Sequence, residues 1–463
     1  MDTIQQFIIT FQEYLWSFPM LILLFGTHLY FTLHLHLIQR RIPEGIRLSM
    51  AGNKKREKTE KGRGHAERGQ KESRDGVSSY SALATALAAT IGTGNIVGIS
   101  TAIAIGGFGA IFWCWITGFL GIATCYAECF LSVKYKRIAS DGSVCGGPMY
   151  VLEHRLQKKG MAVAFALFTV LASFGIGSSV QSYSIRTAVE EQVQISPHVI
   201  GIVAGVLAGL VIVGGSRQIA KVCTWLVPVM SILYLGGCLF IIIKNHTMLG
   251  VALMTILKAA FCGQAVAGGI AGRAVMLGMR TGISRGLFTN EAGLGSIPMA
   301  AATAGTKDAV RQGLISMTGP FWDTVVMCAI TGIAATCSML KNPQSYIGVS
   351  PEQMCFVTFT ELPIGGDMLL SISLALFAFA TIIGWNVYGT SAVRYLWGEA
   401  GIKVYQVVYI LFVYLGAVLS MELVWGISDL FNSLMAIPNL LCLWMLRKEI
   451  IAGNIKNKNE KIL

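Results

Sequence analysis

The chain has 463 residues, 54% of them hydrophobic and only 13% charged, with a net charge of +12. Soluble domains carry about 25% charged residues, so the composition excludes a soluble globular protein. The lack of a roughly 10-residue alternating pattern also excludes an outer-membrane barrel. The Lys and Arg sit in alternate loops rather than in one patch, which argues against nucleic acid as a partner. No charge falls between Asp75 and Glu128, a span that holds membrane crossings of about 20 residues each. The class is therefore a polytopic α-helical membrane protein.

The first predicted helix, Tyr14–Leu37, contains His28, His34 and His36, which read as interfacial residues of a peripheral helix. Met1–Thr10 has neither a basic leader nor a small-residue cleavage site, so this helix is expected to stay. Gln39–Ser79 is rich in Lys, Arg, Glu and Gly and reads as a flexible cytoplasmic loop. Helix 2, Ser81–Gly109, is uncharged but carries Gly92-Thr93-Gly94-Asn95 at its middle. Gly costs about 1 kcal/mol relative to Ala inside a helix, and a broken helix at membrane depth is tolerated only where its backbone lines a cavity or binds something. Helix 3, Ala110–Tyr135, opens on Phe112-Trp113-Cys114-Trp115 and carries Glu128, either a functional carboxylate or a structural one that snorkels or pairs with Lys134.

Helix 4, Ala162–Ala188, has Gln181 among small residues; helices 5 and 6 are His198–Val213 and Ala220–Lys244. Helix 7, Ala252–Met279, contains a second glycine-rich break at Gly263–Gly269 and is followed by a polar, glycine-rich stretch, Ser284–Ser296. Helix 8, Gln312–Ala335, holds Asp323 and Thr324; a loop, Ser338–Gly366, leads to helix 9, Met368–Tyr388, with Thr381, Trp385 and Asn386. Helices 10 and 11 are Tyr405–Ser420 and Val424–Leu446. The eleven cysteines lie mostly in apolar segments; Cys125 and Cys129 are a turn apart, but no CxxC or Cys/His cluster appears, so they read as small core residues in a reduced compartment.

With the loop after helix 1 inside, the inner segments collect 31 Lys and Arg against 4 outside. That bias predicts an outer N-terminus and a cytoplasmic C-terminus. Helices 2 and 7 are five helices apart, so the units they begin have opposite orientation, and paired broken helices in inverted halves point to a transporter site. The expected organisation is an extra helix (1–38), a basic loop (39–79), two inverted five-helix repeats (80–245 and 246–447) and a tail (448–463). A half-helix N-terminus suits a carboxylate. Free carbonyls at a half-helix C-terminus suit Na⁺ or an ammonium group, and hydroxyls and amides of Thr93, Asn95, Gln181 and Thr381 complete such a shell. Trp385 is placed to close over a small side chain.

Other readings were weighed. Small residues also mediate tight helix packing, and Gly94-Asn95-Ile96-Val97-Gly98 fits that pattern. Gly282-Ile283-Ser284-Arg285-Gly286 matches GxSxG but follows no strand and falls in a predicted cytoplasmic loop. Gly92-Thr93-Gly94 with Gly98 misses GxGxxG by one position, and HExxH is absent. A membrane sensor and a membrane-embedded enzyme stand as rivals of a different class.

From Ser81 onward the chain resembles the alanine or glycine:cation symporters (sodium:alanine symporters). Four blocks carry the likeness: Ile91–Trp115, Cys145–Glu153, Arg285–Ser296, and Phe321–Thr331 with Thr381–Gly389. The resemblance implies a leucine-transporter-type fold, five plus five inverted helices and one extra, eleven in all. It implies Na⁺-coupled uptake of small neutral amino acids across the cytoplasmic membrane of a prokaryote, with no cofactor beyond Na⁺, no catalytic residue and no obligate protein partner. The implied substrate contacts are Thr93, Gly94, Gln181, Thr381 and Trp385. The implied cation site uses carbonyls around Ala89–Gly92 with Thr381, and Asn95 joins that cluster. Three positions depart from the family pattern: Phe108, Ala302 and Arg273. Arg273 keeps open a different substrate, an anionic one included, and H⁺ coupling is the alternative to Na⁺.

Overall fold

The structure, a computed structural model, describes residues 18–60, 76–139, 142–262, 270–419 and 421–460; the side chains at 18, 52–60, 270–274, 421–429 and 456–460 are not described. Helix α1, Phe18–His34, lies along the third predicted helix. His28 is fully buried there, its Nδ1 2.8 Å from Thr124 Oγ1, which corrects the interfacial reading; His34 and His36 are exposed. The expected flexible loop is also corrected. Ile42–Glu60 forms a helix, α2, because Ile42 and Ser49 are buried and Gly45 seats its backbone against Leu314 O.

Helix α3, Ser79–Thr90, starts at Ser78, whose Oγ accepts the Ser81 N–H at 3.0 Å as an N-cap. After the predicted break comes α4, Val97–Gly106, and then α5, Gly109–Lys134. A two-residue hairpin pairs β1 (Arg137–Ile138) with β2 (Val144–Cys145). Helices α6 (Lys159–Glu190), α7 (Pro197–Ile212) and α8 (Gly215–Lys244) match the expected helices 4 to 6 within a few residues.

The second half departs from expectation. The single helix predicted over Ala252–Met279 is two, α9 (His246–Phe261) and α10 (Ile270–Asn290), and the supposed break at Gly263–Gly269 lies outside the described residues. Ser284–Asn290 is not loop but the last turns of α10, packed along α5, with Gly282 facing Ala110 O and Gly286 facing Cys114. Apolar spacing makes this possible, because Ile283 and Leu287 are buried one turn apart. Arg280 and Arg285, expected in an inner loop, therefore ride on a helix. A break that the sequence reading placed in a loop lies at Glu291–Ser296, after which the chain resumes as α11, Ile297–Ala302.

Helix α12 runs over Ala309–Lys341, past the predicted end at Ala335. The expected helices 9 and 10 join into α13, Gly366–Val418, which kinks at Gly398 (φ 68°, ψ −162°). Helices α14 (Met421–Met445) and α15 (Arg447–Glu460) close the bundle. Among the described residues five helices are each long and apolar enough to cross a membrane, or seven if two bent pairs count as one span each.

The two broken helices run antiparallel. A Cβ on Gly94 would lie 2.9 Å from Thr289 Cγ2, and one on Gly106 would lie 3.1 Å from Gly278 Cα. So α4 leaves the first break alongside α10 as it enters the second. At the far end Val77 bridges Ala304, with Val77 N bonding Thr303 O at 3.0 Å and Gly305 N bonding Val77 O at 2.9 Å.

A Cβ on Gly282 would stand 2.2 Å from Ala110 O. Gly282→Val is expected to destabilise the bundle by about 1–3 kcal/mol, the usual penalty for overpacking. A lower midpoint in thermal unfolding of the purified protein checks this, and an unchanged midpoint would separate α10 from α5.

Candidate functional site

The first break forms because Ile91 takes the last helical bond, to Leu87 O, and Gly92 then turns extended (φ −126°, ψ −161°). The last carbonyls of α3 are left without onward helical partners. Asn95 closes the loop: its Oδ1 accepts Gly92 N–H at 3.0 Å, and its Nδ2 donates to Asp323 Oδ1 at 2.7 Å and Asp323 O at 3.1 Å. Thr93 Oγ1 donates to Gln181 Oε1 at 3.4 Å, and Gln181 Nε2 donates to Ile176 O at 3.1 Å. Ile176 lies in a π-helical stretch of α6, Ser173–Ser179, and such wide turns recur at functional sites.

Helix α13 completes this side. Thr381 Oγ1 lies 3.2 Å from Ala88 O and 3.0 Å from Phe377 O, and a Cβ on Gly92 would fall 2.8 Å from that hydroxyl. Thr93, Gly94, Gln181, Thr381 and Trp385 are all buried. The structure thus brings Thr93 to Gln181, and Thr381 to Ala88 and Gly92. It turns the Asn95 amide toward Asp323 instead. Ala89 packs against Gly384 of α13, whose Cβ would lie 2.8 Å from Ala89 N.

The second break is built around two carboxylates. Glu291, Gly293 and Gly295 all have positive φ (53°, 90° and 85°). Glu128 of α5 accepts the N–H of Gly293 at 2.5 Å and of Gly295 at 2.9 Å, with Asn439 Nδ2 at 3.2 Å. It therefore serves the break, and Lys134 pairs with Glu449 instead. Glu291 Oε2 accepts from Ser296 Oγ at 2.6 Å, and its Oε1 accepts from Trp385 Nε1 at 2.9 Å. Asp323 sits in a second π-helical stretch, Phe321–Cys328, and accepts from Thr324 Oγ1 at 2.7 Å. Among the described residues no salt bridge reaches Glu128, Glu291 or Asp323.

Sequence reasoning gave Glu291 no role, though it stands in a quoted block. The available signal was a Glu followed by two glycines two residues apart, inside a polar stretch that reads as loop. Of the departures, Ala302 is buried against Gly146, where a larger side chain would collide, and the Arg273 side chain lies outside the described residues. Further along α13, Asn386, Thr390, Ser391 and Arg394 line a cavity of about 90 Å³; a wider cavity of about 340 Å³ shares Arg394 and continues to Gly142 and Arg217.

Two antiparallel broken helices that meet at buried polar groups, inside a bundle of apolar helices, define a multi-pass membrane transporter, not an enzyme. The chain belongs to the Sodium:alanine symporter family, whose sequence profile matches residues 1–461. A protein of Haemophilus influenzae described as an uncharacterized transporter is 43% identical over 97% of this chain and 95% of its own. The sodium/alanine symporter AgcS of Methanococcus maripaludis is 39% identical over 97% of each. Among solved structures, the substrate-bound outward-open state of a Na⁺-coupled sialic acid symporter shares the fold, with a TM-score of 0.56 at 16% identity over 93% of this chain and 86% of that one.

A Cβ on Gly177 would stand 2.7 Å from Trp385 Cβ. Gly177→Ala is expected to displace the indole, with an overpacking cost of about 1–3 kcal/mol at this contact. Raised KM for uptake together with a lowered thermal midpoint is the expected pattern; unchanged KM would detach Trp385 from the site.

Proposed function

We propose that the chain is a Na⁺-coupled symporter carrying alanine, glycine or a similar small neutral amino acid by alternating access. The observation that carries this reading is the meeting of the two breaks, with Gly94 and Thr289 in near contact and α13 hydrogen-bonded to both sides. The substrate carboxylate is assigned to the backbone of Thr93 and Gly94 and the side chains of Thr93 and Gln181. Thr381 and Trp385 bound the rest of the molecule. Tight packing of Trp385 against Gly177, and of Gly92 against Thr381, supports a small substrate.

The cation is assigned to the carbonyls around Ala89–Gly92 with Thr381, oxygens that suit a hard ion; of these, Gly92 O also accepts the Asn95 N–H at 3.2 Å. Asn95 supports that cluster by shaping the break, since its carbonyl oxygen is already engaged by Gly92 N–H. Eleven spans follow if α3/α4 and α10/α11 each count as one, α13 counts as two about its Gly398 kink, and α2, α9 and α15 are not counted. The inverted units then fall at 80–245 and 246–447, with α9 as an addition at the head of the second. The N-terminus faces outward and the C-terminus the cytoplasm, so the Asn386–Arg394 cavity opens inward as the release route.

Na⁺ crossing about 100 mV supplies about 2.3 kcal/mol, and a tenfold gradient adds about 1.4, enough together for roughly 500-fold accumulation of a neutral solute. Proteoliposomes given a panel of labelled amino acids, with and without an inward Na⁺ gradient, test the proposal. Alanine or glycine should accumulate only with the gradient, and gradient-independent uptake would remove the coupling. Thr93→Val and Gln181→Ala should each raise KM about tenfold or more, the loss of a hydrogen bond to a charged group; near-normal KM in both would move the substrate elsewhere.

A further inference from the structure

Helix α13 presents Thr381 and Trp385 one turn apart, on the same face. Thr381 reaches the first break, through Ala88 O. Trp385 reaches the second, through Glu291. Glu291 itself is held at φ 53°, a conformation that costs a non-glycine residue about 1–3 kcal/mol and survives only where the surroundings enforce it. Its two oxygens are divided: Oε2 takes the Ser296 hydroxyl within the turn, and Oε1 is left for the indole across the gap. The indole needs this partner, because Trp385 is fully buried and its N–H is its single polar atom. The ring also stands edge-on to Tyr388 at 5.3 Å between centroids, and its Cβ abuts Gly177.

We infer that Glu291 is a specificity-determining positioning residue: it fixes the Trp385 indole and so sets the size of substrate the pocket admits. This rests on the proposed placement of Trp385 against the substrate. Without Glu291 the indole N–H loses its acceptor and the ring has no polar anchor to hold one rotamer. Small substrates then lose the wall they pack against, while larger ones gain room. The effect belongs in KM and selectivity rather than in turnover. Glutamine at 291 keeps an acceptor for the indole, whereas alanine does not.

The test compares KM and maximal rate for alanine, valine and leucine in proteoliposomes bearing Glu291→Gln, Glu291→Ala, Trp385→Phe, Trp385→Ala and Ser296→Ala. Glu291→Ala and Trp385→Phe should each raise KM for alanine about tenfold, as expected for loss of a hydrogen bond to a charged acceptor, and lower the alanine-to-leucine preference. Their double variant should be no worse than either alone, because they break one interaction. Glu291→Gln should stay within about threefold of the wild type, the margin between charged and neutral acceptors. Ser296→Ala, which trims the turn but not the indole contact, should leave selectivity unchanged. Altered selectivity in Trp385→Ala with normal selectivity in Trp385→Phe overturns the inference, whether or not Glu291→Ala folds. Fully additive effects overturn it as well. Normal KM and selectivity in both Trp385 variants would instead remove Trp385 from the substrate site and leave the underlying functional reading at fault.

Discussion

A polypeptide inside a membrane has no water to satisfy its backbone, and that constraint governs this molecule. An unpaired buried donor costs about 1–3 kcal/mol, so a helix can be interrupted only where something else meets its N–H and C=O groups. Each break here has its own solution. At the first, Asn95 folds back on Gly92 N–H, and Thr381 approaches Ala88 O. At the second, one carboxylate, Glu128, takes the N–H groups of Gly293 and Gly295 together. A carboxylate buried this way is stabilised by the donors it receives, and the donors are satisfied by it, so neither side of the arrangement stands without the other.

The two solutions differ in kind, and this orders the bundle. The first break is shaped from within its own segment and from α12, through Asp323. The second is shaped from α5 and α14, through Glu128 and Asn439. Only α13 is hydrogen-bonded to both in the geometry described, one turn separating its two contacts. Close packing makes that possible: Gly384 lies against Ala89, and Gly177 lies against Trp385. A substrate held there would sense both half-helix pairs at once.

Much of the first half was legible in the sequence. Gly92-Thr93-Gly94-Asn95 interrupts an uncharged apolar run, and a break fits it better than tight helix packing does. The break at Glu291–Ser296 was missed, for a physical reason. Gly263–Gly269 is glycine-rich and uncharged, so it looked membranous, while Asn290-Glu291-Ala292-Gly293 looked like loop. A polar run reads as solvent-exposed unless its partners are known, and those partners, Glu128 for Gly293 and Trp385 for Glu291, lie 165 and 94 positions away in the chain. Likewise Ile42–Glu60 carries so much charge that its buried edge, Ile42 and Ser49, could not be weighed before α12 was seen beneath it. Composition reports average surroundings, whereas burial at single positions depends on which distant segment arrives.

The short bridge between Val77 and Ala304 has a mechanical meaning. It stitches the entry of α3 to the exit of α11 by two backbone hydrogen bonds, and Lys136 Nζ clasps the same corner by donating to Ala304 O and Thr306 O, each at 2.6 Å. Two half-helices from opposite halves of the chain are thereby yoked at one end. Any motion that parts them must first cut the yoke, and any motion that keeps it intact swings the pair as a single lever.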